Sequence, residues 1–130
     1  MTTNSTSSLG QVFENGEVII RQGTEGDCLY IIQQGKVEVI SENAGNEVKL
    51  TELGPGEFFG EMGLFEKDVR SCTIRAVGQS RVMTIDKQNF YQTIQKDPSL
   101  AFRLLEMMSR RIRQTNQRIS EMQEKIGNDA

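Results

Sequence analysis

Residues 16–46 read GEVIIRQGTEGDCLYIIQQGKVEVISENAGN, and the pattern in this stretch decides the fold. Short β-type runs follow one another at close intervals, with Gly16, Gly23, Gly26 and Gly35 at the turns. In KVEVI, strict alternation puts Val37 and Val39 on one face and Lys36, Glu38 and Ile40 on the other. The pattern continues outward in EVKLTEL, where Val48, Leu50 and Glu52 alternate with Lys49, Thr51 and Leu53, and then in CTIRAVGQSRVMTID, residues 72–86. Half-buried strands with frequent turns suit an antiparallel sandwich, jelly roll or barrel, since a parallel sheet needs a helix between strands. No long helix is expected between Phe13 and Ile85.

Beyond Ile85 the period changes. Asp86 can cap a short helix reaching about Gln95, and DPS offers a second start, with Asp97 as N-cap and Pro98 at the first helical position. Ala101, Leu105, Met108, Ile112, Thr115, Ile119, Met122 and Ile126 then recur at alternating spacings of 4 and 3, a heptad seam, and Gly127 stands where a C-terminal cap belongs. A helix of about 29 residues is about 43 Å long, more than a small β-domain is wide, so part of it is expected to overhang. Its seam can fold back onto the β-domain or pair with a twin in a parallel coiled coil. The seam is narrow, as in a coiled coil, and Phe102 and Leu104 widen it only near the start. The first two turns are therefore predicted to pack on the β-domain and residues 105–126 to form a homodimer. The expected organisation is a disordered leader over 1–11, a β-domain with a short helix over 12–96, and a long helix over 97–127.

Composition narrows the chemistry. The 130 residues amount to one domain, and the net charge is −3. There is no histidine, and the two cysteines, Cys28 and Cys72, are far apart, which argues against zinc, histidine-ligated haem and histidine-based acid–base catalysis. Both thiols read as small buried or half-buried residues in a reducing compartment. No run approaches the ~20 apolar residues of a membrane span, and MTTNSTSSLGQ has no signal-peptide pattern, so a cytoplasmic protein without a membrane partner is expected. Between Ser99 and Arg118 there are five arginines against the single acid Glu106. With no recognition-helix unit following, they read as a solvated helix face, and no nucleic-acid contact is expected through this chain.

A second stretch, FFGEMGLFEKDVRSCTI at 58–74, carries the chemical content. Gly60 and Gly63 let the backbone turn sharply and approach a ligand, and one helical turn over 61–65 would aim free N–H groups at an anion. Arg70 supplies a forked, permanent cation suited to two oxygens of one phosphate, and Glu61 a carboxylate suited to a sugar hydroxyl. The set fits a ligand with one phosphate and a free ribose hydroxyl. A plain Glu61–Arg70 salt bridge is the competing reading. There is no GxxxxGK[ST] loop for a triphosphate, no evident metal site, and nothing that activates a nucleophile, so the site reads as a clamp and not as an enzyme centre.

FFGEMGLFEKDVRS closely resembles the phosphate-binding cassette of cyclic nucleotide-binding domains of the catabolite activator and protein kinase A regulatory subunit type. GEVIIRQGTEGDCLYIIQQGKVEV is similar to that family's opening strands, and the likeness runs from about Phe13 to Ile119. The resemblance implies a double-stranded β-helix, an eight-stranded jelly roll, with a short cassette helix and a long C-terminal dimerisation helix. It assigns Glu61 to the ribose 2′-hydroxyl and Arg70 to the cyclic phosphate. The backbone at Gly60, Met62 and Gly63 falls close to ribose and phosphate, and Ser71, with Cys72 beside it, adds a hydroxyl to a phosphate oxygen. SRRIRQTNQ, residues 109–117, is similar to the part of the activator-type helix that covers the base. By that match Thr115 reaches the adenine of its own pocket and Asn116 the adenine held by the partner subunit, while Arg111 approaches Glu61 or the ligand. Val69 replaces a proline frequent before the arginine, and Asn116 replaces a serine. The implied ligand is cAMP, with cGMP less favoured, and no metal. No helix-turn-helix follows before Ala130, so the downstream effector is unassigned. The alternatives are a ligand-free dimerisation scaffold and the sensor half of a truncated transcription regulator.

Overall fold

The computed structural model describes residues 10–61 and 68–129. Among the described residues eight strands come first: β1 (Gln11–Phe13), β2 (Val18–Ile20), β3 (Glu25–Gly26), β4 (Cys28–Asn43), β5 (Asn46–Leu53), β6 (Phe58–Phe59), β7 (Asp68–Val69) and β8 (Thr73–Asp86). Two helices follow, α1 (Lys87–Lys96) and α2 (Ser99–Asp129). The chain divides into two compact units, residues 1–93 and 94–130.

The frame of the first unit is the antiparallel pair β4–β8, running from Cys28 opposite Asp86 to Ile40 opposite Thr73. β1 and β2 add to β8, β5 and β6 add to β4, and β3 pairs with β7 in a separate ribbon, every ladder antiparallel. These pairings converge on a core of Ile20, Ile32, Val37, Leu53, Phe59, Ile74 and Val82, with Phe13, Ile19, Tyr30 and Val39 partly buried around it. Each aliphatic side chain sealed this way contributes about 1.5–3 kcal/mol.

Gly35 was expected to separate two strands; instead it lies inside one strand of 16 residues. The β4–β8 register shifts on both sides of Gln34, and Gly35 takes a left-handed φ of 80° there. The chain bends without breaking because the buried Ser80 hydroxyl donates to the Lys36 carbonyl at 2.8 Å. Strict alternation also fails nearby. Val37 and Val39 do face the core, but Ile40, assigned to the other face, is buried as well. The β4–β5 ladder shifts between Val39 and Ile40, and in the edge strand β5 only Leu53 is buried while Val48 and Leu50 are exposed.

Both helix starts follow from their caps. Asp86 Oδ1 accepts the Asn89 amide at 2.8 Å, and Asp97 Oδ1 accepts the Ser99 amide at 3.1 Å. α2 does not stop at Gly127; that residue stays helical instead of turning left-handed, and the helix runs on to Asp129. α2 carries two apolar rows one residue apart. Leu100, Leu104 and Met107 are buried, whereas the predicted seam is exposed at Leu105, Ile112, Ile119, Met122 and Ile126, as is Phe102. Among the described residues no helix is long and apolar enough to cross a membrane.

Two predictions follow from this frame. A Cβ on Gly35 would lie 2.6 Å from both the Gln79 carbonyl oxygen and Ser80 Oγ. Gly35→Ala should therefore destabilise the protein by at least about 1–3 kcal/mol in denaturant unfolding, from the left-handed backbone alone. The Asp97 carboxyl is held below its ordinary value by the Ser99 hydroxyl and then the Ser99 amide. A depressed carboxyl stabilises above its unfolded pKa and loses that contribution as pH falls through the folded value. Asp97→Ala should lower the melting temperature at pH 7, and the gap to wild type should narrow as pH falls below the ordinary aspartate value of about 3.9.

Candidate functional site

Arg70 follows directly on β7, and its main chain is tied to the turn before β3. Its amide donates to the Thr24 carbonyl at 2.7 Å, and its carbonyl accepts the Gly23 amide at 2.9 Å. The β3–β7 ribbon, Glu25 opposite Val69 and Gly26 opposite Asp68, fixes the same region from the other side. The side chain is then directed inward, and Arg70 is only 9% exposed.

Two main-chain carbonyls receive the guanidinium. Nη1 donates to Gly60 O at 3.0 Å and Nη2 to Cys28 O at 3.1 Å, with Cys28 Sγ 4.0 Å from Nη2. Each acceptor is placed by the β4 frame. Cys28 opens β4, and β6 pairs with β4 through Phe59 opposite Tyr30, which delivers Gly60 to the guanidinium with a left-handed φ of 78°. The Tyr30 and Phe59 rings stack at 5.0 Å and 5°, and the guanidinium carbon lies 5.9 Å from the centre of the Tyr30 ring. Burial above all holds the Tyr30 hydroxyl above its ordinary pKa; Cys28 and Asp27 add to the shift and the Arg70 charge opposes it.

Arg75 shows the alternative arrangement. It is half-buried on the sheet and meets Glu38 at 2.6 Å and Glu47 at 3.4 Å, so its charge is matched by carboxylates. None of the ion pairs among the described residues involves Arg70. Carbonyl dipoles orient that cation without cancelling its charge, and two of its five N–H donors are occupied by them.

The sequence-predicted residues are distributed as follows. Gly60 and Arg70 come together, with Gly60 O accepting from Arg70; Glu61, half-buried and helical, is the residue after Gly60. Met62 and Gly63 lie outside the described residues, as does the rest of the expected turn over 61–65. Ser71 is exposed, with its hydroxyl 3.9 Å from the sulfur of half-buried Cys72, and both cysteines are free thiols. Arg111, Thr115 and Asn116 belong to the second unit. Thr115 and Asn116 are exposed there, and the Thr115 hydroxyl donates to the Arg111 carbonyl at 2.9 Å. The sequence reading missed the surroundings of the guanidinium, Gly26, Cys28 and Tyr30. Their link to Arg70 spans some 40 positions and depends on ladders that no local spacing reveals, such as Cys28 to Arg70 at a separation of 42.

Comparison with known proteins places this geometry. The sequence profile of the cyclic nucleotide-binding domain matches residues 11–97. The cAMP-activated global transcriptional regulator CRP of Salmonella typhimurium is 35% identical over 112 residues, which cover 85% of this chain and 53% of the relative. The crystal structure of Thermus thermophilus catabolite activator protein superposes with a TM-score of 0.76 at 30% identity, covering 87% of this chain and 54% of that one. The cGMP-bound form of the EAL enzyme Bd1971 gives a TM-score of 0.61 at 29% identity, over 88% of this chain and 31% of that one. The chain thus spans about half the length of the curated relatives it matches. Its antiparallel sheet followed by two helices has the jelly-roll fold of the activator-type proteins. On the profile match and the shared fold together, the chain belongs to the cyclic nucleotide-binding domain family.

Proposed function

We propose that this chain is a cytoplasmic signal-transduction module that binds cAMP and dimerises through α2, with no catalytic role of its own. The observation that carries the reading is the state of Arg70: a buried cation held by two neutral carbonyls, its charge oriented and not matched by an ion pair among the described residues. A cyclic phosphate, in this reading, supplies an anion for the remaining guanidinium donors. In this reading Glu61 accepts from the ribose hydroxyl, the backbone at Gly60, Met62 and Gly63 lies along the ribose and phosphate, and Ser71, beside Cys72, adds a hydroxyl to the phosphate. Binding gathers the loop onto the phosphate and recruits α2 over the base, shifting an existing equilibrium.

The choice of base rests on Thr115 and Asn116. With its proton directed at the Arg111 carbonyl, the Thr115 hydroxyl is left as an acceptor. Adenine presents an amine donor at the position where guanine presents a carbonyl acceptor, which favours cAMP over cGMP. Asn116 serves the base held by the partner subunit, and Arg111 reaches toward Glu61 or the ligand.

The exposed seam supports a parallel homodimer through residues 105–126. Ile112, Ile119 and Ile126 occupy alternate seam positions, the branched residues that favour two parallel strands. Arg111, Arg118 and Lys125 flank one side and Ser109, Asn116 and Gln123 the other. Parallel pairing sets cations against neutral residues, while antiparallel pairing sets cation against cation. A second reading, the sensor half of a transcription regulator, is favoured by the chain's covering 53% of its regulator relative.

Thermal unfolding with and without cAMP tests the binding reading. A ligand at 100 times its dissociation constant adds about 2.7 kcal/mol, while a ligand-free scaffold shows no shift. Arg70→Ala should weaken cAMP by about 3–5 kcal/mol, a few hundred- to a few thousand-fold in calorimetry; unchanged affinity would refute the clamp. Thr115→Ala should narrow the preference for cAMP over cGMP while leaving the phosphate contribution intact, so a loss equal for both nucleotides would remove Thr115 from base selection.

A further inference from the structure

We propose that Gly26 and Tyr30 are positioning residues for the ligand, acting by holding the Arg70 guanidinium in its binding orientation. The inference rests on the reading of Arg70 as the phosphate partner. Neither residue carries a charge, and neither was distinguished by its sequence motif; the geometry alone singles them out.

Gly26 is the tightest point. A Cβ built on it would fall directly on Nε, Nη2 and Cζ of Arg70. Its φ is not left-handed, so glycine is needed here for space and not for backbone freedom. The pairing of Gly26 with Asp68 in the β3–β7 ribbon keeps its backbone from backing away, because that ladder leads into Arg70 itself. Any side chain at position 26 therefore competes with the guanidinium for one volume, and moving the guanidinium disturbs its bonds to Gly60 O and Cys28 O.

Tyr30 bounds the guanidinium with an aromatic ring, 5.9 Å from Cζ to the ring centre and within cation–π range. The stack on buried Phe59 keeps that ring from swinging away. A Cβ on Gly60 would come within 3.0 Å of Nη1 and 3.1 Å of the Tyr30 ring, so glycine, ring and guanidinium are packed in direct succession. Phosphate recognition by a forked donor depends on angle as well as charge, so a guanidinium displaced within the same cavity loses affinity without losing its cation.

The test uses two readings on the full chain: calorimetric titration with cAMP, and the ¹⁵N NMR signal of the Arg70 Nε–H without ligand, assigned by its disappearance in Arg70→Lys. Gly26→Ala should bind cAMP about tenfold or more weakly and should move the Nε–H signal, with the unliganded melting temperature within about 5 °C of wild type. Gly54→Ala is the matched control, since a Cβ there meets nothing within 4 Å, and both readings should stay as in wild type. Tyr30→Leu should weaken binding about three- to tenfold, and Tyr30→Phe, which keeps the ring, should bind more tightly than Tyr30→Leu. Wild-type affinity in Gly26→Ala, or weakened binding with an unmoved Nε–H signal, overturns the proposal. If Gly26→Ala does not fold, the Tyr30→Leu and Tyr30→Phe pair decides by the same readings. Unchanged cAMP binding in Arg70→Ala would instead defeat the phosphate reading, and the Nε–H signal would still judge the positioning on its own.

Discussion

A guanidinium withdrawn from water must be given acceptors, and the organisation of the β-domain around Arg70 follows from that requirement. The acceptors are two carbonyls from segments far apart in the chain, Cys28 at the start of β4 and Gly60 just beyond β6. Carbonyls cannot be moved independently of the strands that carry them. The long β4–β8 ladder holds Cys28, the short β4–β6 pairing holds Gly60, and the β3–β7 ribbon holds the arginine's own backbone. Three ladders thus meet at one side chain. The two-residue strand β6 buries Phe58 and Phe59 in the core as it places Gly60, whereas β3 carries no apolar side chain and Val69 of β7 is exposed; the consequence of that ribbon lies in the position it imposes on the charge.

The type of acceptor matters as much as its placement. A carboxylate partner would satisfy Arg70 and also neutralise it, as Glu38 and Glu47 do for Arg75 on the sheet surface. Carbonyl dipoles leave the net charge in place. Among the described residues no carboxylate pairs with this buried cation, a poor arrangement for stability alone and, in the proposed reading, a suitable one for an anion that comes and goes. The same logic explains why the neighbours of the guanidinium are a glycine and an aromatic ring: both permit close approach without adding charge.

Much of this was legible in the sequence. The alternating strands and glycine spacing gave the antiparallel β class, the capping aspartates gave both helix starts, and the residue types in the 58–74 stretch singled out Arg70, which the fold buries against two carbonyls. What was not legible depended on pairing. Gly35 reads as a turn in one dimension, and only the facing Ser80, 44 residues from the carbonyl it bonds, shows that the chain passes through as a bent strand. Ile40 and Leu50 break alternation because of a register shift between β4 and β5, which neither strand's sequence announces by itself. Gly26 looked like one turn glycine among several, and its contact with Arg70 exists only because β3 meets β7. Local pattern fixes local conformation; bulges and long-range contacts follow from which strands meet.

The two apolar rows of α2 bear on how the proposed binding and dimerisation would be linked. One row, Leu100, Leu104 and Met107, is already buried, and the other, one residue over, is exposed along most of its length. Thr115 lies in the exposed row, and Asn116 is the next residue. In the proposed reading these residues both line the dimer seam and receive the base, so a nucleotide that engages them cannot be indifferent to dimerisation. Whatever factor a bound nucleotide contributes to the pairing of two α2 helices, pairing must contribute to nucleotide affinity, because the two equilibria form one thermodynamic cycle. The phosphate end of the ligand has no such obligation: Arg70 is held by the strands of one β-domain. In the proposed reading affinity and coupling are thereby separated along the ligand: the anion would sit in the β-frame that holds Arg70, and the base would fall on the helix that carries the dimer seam.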